Sequence, residues 1–183
     1  SYINKKNIYI GTVARLVPQK RIDLLIDAFS RIDKKSQNNF KLVIIGDGIL
    51  KKELIDFSKN KKVFNKIIWI KYTEDVISHI KKWDLFCLTS KYEGFGLVLL
   101  EAISAGTPIL AMQSSSIKEI IGPCGEIVDF GDVVSFSKKI IEVIKNKEIY
   151  VNKKYLNKYS FTENIISHNQ IYLDLFKAKN KQL

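Results

Sequence analysis

Cysteine and proline are scarce in this chain, with 2 Cys and 3 Pro among 183 residues. Cys87 and Cys124 show no CxxC spacing and no partnering histidine cluster, so we expect free thiols rather than a disulfide framework. There is no internal repeat and no linker rich in Pro, Gly or Ser. A 46% hydrophobic composition is enough to bury one core in a chain of this length, which predicts a single domain over residues 1–183.

Long apolar runs are absent as well. No stretch approaches the roughly 20 residues that span a bilayer, and the Lys-rich start lacks the apolar segment of a signal peptide. We therefore expect a cytoplasmic protein, with contact at the inner face of the membrane left open. The chain begins with Ser1 and enters the apolar run 8–10 almost at once, so we expect it to be part of a longer protein.

Acidic residues are outnumbered: 19 Asp and Glu face 30 Lys and Arg, which gives a net charge of +11. Such an excess favours acidic partners, namely nucleotide phosphates, nucleic acid or an anionic membrane surface. Charge alone does not choose among them. Much of the excess lies in Lys/Asn stretches such as 59–62, which a general compositional bias explains better than a dedicated patch.

Short β-rich apolar runs alternate with helical patterns along the chain. The predicted strands are 8–13, 41–45, 67–70, 85–88, 108–111 and 125–128. Helical spacing of apolar residues recurs in 22–29, 76–80 and 136–144. This alternation predicts an α/β fold: a doubly wound, Rossmann-like parallel sheet of about six strands with helices on both faces. Such sheets bind ligands beyond the carboxyl ends of their strands, so we expect functional residues in the loops there.

The strongest motif runs from Glu93 to Glu101 with the sequence EGFGLVLLE. Its glycines free the backbone to approach a ligand, and a helix is predicted to start near Leu97 with its unsatisfied N–H groups exposed. A helix N-terminus of this kind suits pyrophosphate. The two glutamates flank the start of the helix, and carboxylates bind sugar hydroxyls well because each accepts two hydrogen bonds.

This motif resembles the E-x7-E motif of the retaining glycosyltransferases of family 4, which lies in the second domain of the GT-B fold. Residues 11–20 (GTVARLVPQK) resemble the first loop of that family, 46–48 (GDG) its second loop, and 105–108 (AGTP) the turn after the motif helix. The resemblance covers about residues 8–176. It implies the C-terminal, donor-binding half of a GT-B fold, with the acceptor site on a missing N-terminal domain and a terminal helix at 160–178 packing toward that domain.

The resemblance also implies residue roles. Glu93 would hold hydroxyls of the transferred sugar and Glu101 those of the ribose, while Arg15 and Lys20 would neutralise the leaving diphosphate. Glu93, Arg15 and Lys20 are thus the predicted catalytic residues. The other predicted donor contacts are Gly11, Gly46, Gly94, Phe95, Gly96, Leu97 and, near the base, Lys71 and Tyr72. The chain departs from the family pattern at Lys71 and at Arg21, where glycine is common.

Together these features predict a hexosyltransferase of polysaccharide biosynthesis that transfers a sugar from UDP or GDP to a glycan or lipid acceptor. The domain alone should bind the donor but scarcely turn over. We expect no cofactor and no metal, because there is no DxD motif and two cations can do a metal's work. We also expect no nucleic acid. The alternatives are an epimerase or phosphorylase of the same architecture, a non-catalytic basic module that binds nucleic acid or nucleotides, and a degenerate scaffold domain.

Several other residues are interpreted as structural and not functional. The GDG segment around Asp47 serves equally as a strand-to-helix turn, and we favour that structural interpretation. Trp69 and Trp83 are predicted to pack in the core, although Trp69 lies near a strand end where a base could stack. His79 and His168 have no acidic or cysteine companion at metal spacing, so we expect them on the surface.

Overall fold

The computed structural model describes residues 2–32, 39–94, 96–114 and 117–159. It divides the chain into two units, Ser1–Lys153 and Lys154–Leu183. The second unit is described only over residues 154–159, which belong to the short 3₁₀ stretch Lys153–Tyr159. The predicted terminal helix at 160–178 therefore lies outside the described residues. Within those residues, no helix is long and apolar enough to cross a membrane.

The first unit contains six strands and seven α-helices among its described residues. The strands are β1 Ile8–Val13, β2 Phe40–Ile45, β3 Ile67–Ile70, β4 Leu85–Leu88, β5 Ile109–Met112 and β6 Gly125–Val128. The helices are α1 Ile22–Ser30, α2 Lys51–Asn60, α3 Val76–Ile80, α4 Leu97–Ala105, α5 Ile117–Ile121, α6 Val133–Lys145 and α7 Lys147–Tyr150. Short 3₁₀ turns lie at Pro18–Lys20, Phe64–Lys66 and Gly122–Cys124.

All six strands pair in parallel, in the order β3-β2-β1-β4-β5-β6. The chain builds the sheet outward from β1 to β3, returns to the other side of β1, and continues outward to β6. This order places a switch point between β1 and β4, where loops diverge and leave a crevice. The predicted doubly wound parallel sheet is confirmed.

The predicted strand bounds hold to within one residue. The largest shift is at β5, which begins at Ile109 rather than at Pro108. Proline has no N–H to donate to a ladder, so it stands just before the strand. Its carbonyl still accepts a hydrogen bond from Phe86 N at 2.9 Å.

The core lies on both faces of the sheet. On one face α1 and α6 contribute Leu25, Phe29 and Phe136, all fully buried. Successive side chains of a strand point to opposite faces of the sheet. On the other face, Tyr9 and Phe86 are buried as well. Both faces are therefore covered, which is why the strands read as nearly continuous apolar runs.

The packing predictions for the tryptophans are confirmed. Trp83 is 5% exposed, stacks on Phe86, and donates from Nε1 to Tyr2 Oη at 2.9 Å. Trp69 is partly buried against the main core cluster. The surface prediction for His79 needs correction, because its ring is half-buried and stacks on Tyr2 with centroids 5.6 Å apart. His168 lies outside the described residues.

Candidate active site

The predicted site residues lie in three loops at the carboxyl edge of the sheet. The first loop comprises residues 14–21 and follows β1, the second loop comprises 46–50 and follows β2, and the motif loop comprises 89–96 and follows β4. Because β1 lies between β2 and β4, the first loop has the other two as its neighbours. The sheet order therefore brings together segments that are far apart in the sequence.

Three backbone hydrogen bonds tie the first loop to the end of β2 and the second loop. They run from Ala14 N to Ile45 O (3.0 Å), from Leu16 N to Asp47 O (2.9 Å) and from Leu50 N to Leu16 O (3.0 Å). A Cβ on Gly46 would lie 1.9 Å from Ala14 O, and one on Gly48 would lie 2.4 Å from Leu16 O. Both glycines also have positive φ. Close backbone approach thus explains the two glycines of the GDG segment, as the structural interpretation expected.

The first loop is tied to the motif loop as well. Lys91 N donates to Gln19 O at 2.9 Å, Gln19 Nε2 to Tyr92 O at 2.8 Å, and Thr89 Oγ1 to Lys20 O at 3.1 Å. These bonds fix the backbone of the first loop from its other side. The loop is therefore held between two neighbours, which pre-orients its side chains for a ligand.

Lys20 and Glu93 form an ion pair across the switch point. Lys20 Nζ donates to Glu93 Oε1 at 2.7 Å, and the two side chains are only 16% and 8% exposed. The structure thus joins two of the three predicted catalytic residues directly. A charge-assisted hydrogen bond with this little water access holds both groups in fixed positions at the crevice.

Arg15, the third predicted catalytic residue, is exposed and lines a separate part of the same edge. There a cleft of about 380 Å³ opens beyond the ends of β1, β2 and β3. It is lined by Val13, Ala14, Arg15, Ile45, Gly46, Asp47, Lys71, Tyr72, Thr73 and Val76. The structure therefore brings the predicted base contacts, Lys71 and Tyr72, together with Arg15 and Gly46.

The helix α4 begins at Leu97, four residues after Glu93 of the ion pair. Gly96 is the N-cap and has φ 63°. Because glycine has no side chain, no side chain caps the first N–H groups of the helix from this position. Leu97, the first helical residue, is 68% exposed. The first N–H groups of a helix have no partner within it and carry partial positive charge, so this end can accept an anion. The helix start predicted near Leu97 is confirmed, whereas Phe95 lies outside the described residues.

Glu101 lies in the second turn of α4 and is half-buried. Burial raises the pKa of its carboxyl group, since removal from water penalises the charged form. A carboxylate in such a place gains more from a ligand that donates hydrogen bonds than a fully solvated one does.

Gly11 is placed differently from the other predicted donor contacts. It lies inside β1, and a Cβ there would lie 2.1 Å from Cε3 of the Trp83 ring. Packing against that ring accounts for the glycine. Its predicted contact with a donor receives no support from this position.

Arg21 has a left-handed backbone with φ 47° at the N-cap of α1. Left-handed geometry favours glycine, which explains why glycine is common at this position in the family that the sequence resembles. The arginine is held by an ion pair to Asp23 at 2.8 Å and lies over the ring of Phe130. This departure from the family pattern is thus accommodated by local contacts.

Sequence reasoning missed two features of the site. Asp47 Oδ2 lies 3.5 Å from Lys71 Nζ, so the second loop contributes a carboxylate to the rim of the cleft. Ser90, in the motif loop, is 1% exposed, and its Oγ has no hydrogen-bond partner within the described part of the chain. The GDG pattern was the available signal for Asp47. Ser90 had none, because serine is common in loops.

Cys87 and Cys124 are both free and buried, which confirms the predicted free thiols. Burial raises the pKa of the Cys87 thiol. No group of three His, Cys, Asp or Glu side chains gathers within the described ranges. Whether the site works without a metal stays a prediction.

The sheet order and the loops at its carboxyl edge define a Rossmann-like α/β domain. Residues 1–160 match the family described as Glycosyl transferases group 1. The chain belongs to that family. The predicted resemblance is confirmed over most of the chain.

Two curated relatives illustrate the range of similarity. An uncharacterised glycosyltransferase of Methanocaldococcus jannaschii is 31% identical over 171 residues, which is 89% of this chain and 47% of the relative. The poly(ribitol-phosphate) α-N-acetylglucosaminyltransferase of Staphylococcus aureus is 27% identical over 180 residues, 92% of this chain and 35% of the relative. The chain thus spans less than half the length of these two relatives.

Solved structures agree on the fold. TarM of S. aureus, crystallised with fondaparinux, α-GlcNAc-glycerol and UDP, superposes with a TM-score of 0.78 at 25% identity, over 96% of this chain and 36% of TarM. HepE of Anabaena, in complex with UDP-glucose, gives a TM-score of 0.76 at 22% identity, over 94% of this chain and 49% of HepE. These likenesses confirm that the chain folds as one half of a GT-B glycosyltransferase.

Proposed function

We propose that this chain is the donor-binding half of a retaining glycosyltransferase, which transfers a hexose-type sugar from a UDP- or GDP-sugar to a glycan or lipid acceptor. The observation that carries the proposal is the Lys20–Glu93 pair, 2.7 Å apart at the switch point, with Glu93 four residues before the first residue of α4. A cation, a carboxylate and helix amides at one crevice are what a sugar diphosphate needs. Each group has a distinct part of the donor to bind.

The main chemical role of this half is to stabilise the leaving group. When the bond from the sugar to the diphosphate breaks, negative charge builds on the phosphate oxygens. Lys20, the first amides of α4 and, from the cleft, Arg15 would neutralise that charge. Groups already held in place do this without reorganisation, so they lower the barrier and not only the binding energy.

The carboxylates would orient the donor. Glu93, held by Lys20, accepts hydrogen bonds from hydroxyls of the transferred sugar, and Glu101 accepts them from the ribose. Lys71 and Tyr72 bound the cleft that receives the base. We assign Glu93 a binding role and no covalent one, as the family resemblance implies. In this proposal the diphosphate departs through cationic stabilisation, with no metal and no cofactor.

One solved structure and one relative support the choice of donor and acceptor. The TarM structure contains UDP. A Campylobacter jejuni relative, 29% identical over 154 residues, is named as a transferase of N-acetylgalactosamine to a sugar carried on diphospho-undecaprenol. We therefore propose a glycan or lipid acceptor bound by a preceding domain, and a protein that works in the cytoplasm with peripheral contact at the inner face of the membrane.

Calorimetric titration of the chain with UDP, GDP and their sugar conjugates tests this proposal. We expect binding that weakens about tenfold or more in Glu101→Ala and in Arg15→Ala, because each removes one charged contact. Arg31→Ala is the matched control, since Arg31 is exposed and pairs with Asp27 outside the crevice. Absence of binding to any nucleotide, with the protein folded, would reject the donor-binding role.

A further inference from the structure

The cleft beyond β1, β2 and β3 has apolar walls and a polar rim. Val13, Ile45 and Val76 provide the walls, and its volume of about 380 Å³ can take a flat heterocycle. Tyr72, on the rim, is 74% exposed and offers an aromatic surface for stacking. Apolar walls with a few placed polar groups are typical of pockets that select one small ligand.

Asp47, on this rim, pairs with two lysines. Lys71 Nζ lies 3.5 Å from Asp47 Oδ2, and Lys51 Nζ lies 3.8 Å from Asp47 Oδ1. Asp47 Oδ1 also accepts a hydrogen bond from Gly48 N at 3.0 Å, which orients the carboxylate. Lys71 is 77% exposed, so its ammonium is accessible to a ligand. The rim thus offers an oriented acceptor with a donor beside it.

As an ion pair alone, this contact has little value for stability. Its side chains are 77% and 40% exposed, and solvated surface pairs contribute about 0–1 kcal/mol. The Gly48 N–H, with the nearby lysines, lowers the pKa of Asp47, so it carries its charge at neutral pH. Asp47 and Lys71 can therefore break their ion pair and bind a ligand at little cost in free energy.

An acceptor next to a donor matches only some bases. Uracil and guanine present a carbonyl oxygen beside a ring N–H, so Lys71 can donate to the carbonyl while Asp47 accepts from the N–H. Cytosine and adenine present an amino group beside a bare ring nitrogen. In the same pose, their amino group faces Lys71, which is also a donor, and their bare ring nitrogen faces Asp47, which is also an acceptor.

We propose that Asp47 and Lys71 select a keto base, uracil or guanine, over an amino base, cytosine or adenine, at the rim of this cleft. This inference rests on the proposed donor-binding function and adds to it the residues that decide the base. It gives the lysine at 71, where glycine is common in the family, a specific part in recognition.

The test is titration of the whole chain with UDP, GDP, CDP and ADP. We expect UDP or GDP to bind about tenfold tighter than CDP and ADP, since the wrong edge leaves a donor and an acceptor unmatched. The comparison of UDP with GDP identifies which keto base is used. Lys71→Met and Asp47→Ala should each weaken binding of that nucleotide about tenfold while changing CDP and ADP less than about twofold.

The exposed pair of Asp56 and Lys59 on α2 provides the matched control. It joins the same residue types at 2.9 Å, away from the cleft, so Asp56→Ala and Lys59→Met should leave the preference unchanged. Equal affinity for all four nucleotides, still weakened by Glu101→Ala, would overturn the inference and leave the donor site standing. Binding of none of them would overturn both.

Discussion

Lys20 Nζ and Glu93 Oε1 lie 2.7 Å apart, although 73 residues separate them in the sequence. The contact closes the switch point of the sheet from both sides, because it joins the loop after β1 to the loop after β4. Both side chains are largely buried, so water competes little with this contact. A bound sugar diphosphate would contact both Lys20 and Glu93. The strength of the Lys20–Glu93 ion pair should therefore affect both the stability of the fold and the affinity for the ligand.

Removing one member of the pair should destabilise the fold. We expect Lys20→Met to lower the free energy of unfolding by about 1–3 kcal/mol, because it leaves the Glu93 carboxylate buried without its cation. Adding Glu93→Gln should recover part of this loss but none of the nucleotide binding. Urea denaturation and calorimetry measure the two effects. Lys139→Met, in an exposed helical pair, should cost less than about 0.5 kcal/mol. Strict additivity of the two crevice substitutions would contradict the coupling.

Donor affinity should depend on pH through Glu101. Burial raises its pKa, so in the folded protein the carboxyl group stays neutral to a higher pH than in the unfolded chain. Ribose hydroxyls bind best to the ionised form. Affinity for UDP or GDP should therefore rise with pH through the raised pKa and fall below it. Titrations from about pH 4 to pH 8 follow this step around the ordinary value for Glu.

The same shift has a consequence for stability. A raised acid pKa means that the folded state pays to ionise Glu101, so this contribution is favourable below the ordinary pKa and is lost as pH rises through the raised one. Glu101→Gln should remove the pH step in affinity, weaken binding, and make the fold more stable at neutral pH. Persistence of the step in this variant would assign it to another group.

Gly46 should be the least tolerant of the loop glycines. A Cβ there would lie 1.9 Å from Ala14 O, on a backbone with φ +147°. We expect Gly46→Ala to lower the free energy of unfolding by about 2–4 kcal/mol, because the two loops must separate or the backbone must shift. Gly94→Ala is the control, since nothing lies within 4 Å of its added Cβ. Equal stability of the two variants in chemical denaturation would refute this explanation of the GDG segment.

A stabilising substitution is available at the end of α2. Lys62 has φ +60°, Lys62 N donates to Lys59 O, and Val63 N donates to Ser58 O, each bond about 3 Å long. This is the Schellman arrangement, which ordinarily has glycine at the left-handed position. Lys62→Gly should therefore raise the free energy of unfolding by about 0.5–1 kcal/mol. Lys62→Ala removes the same side chain without relieving the backbone, so a gain of equal size there would contradict the explanation.

The sequence by itself was sufficient for the six strands, for four of the helices and for the class of fold, whereas the helices Lys51–Asn60, Ile117–Ile121 and Lys147–Tyr150 were not predicted. Strands buried on both faces must be apolar at nearly every position, as 85–88 and 109–112 are, and such runs are recognisable locally. Helix spacing on α1 and α6 was equally local. The motif from Glu93 to Glu101 could be located for the same reason, because a glycine N-cap and a helix start are properties of neighbouring residues.

Only the tertiary structure decided which distant residues meet. Nothing in the segment around Lys20 specifies a contact with Glu93. The sequence around Gly11 likewise does not indicate that the Trp83 ring leaves no room for a side chain there. From the sequence, Asp47 was interpreted as a turn residue, whereas the structure places it beside Lys71 at a cleft. These contacts follow from the sheet order, which puts β1 between β2 and β4. That order results from packing the whole chain, whereas periodicity and capping act over a few residues.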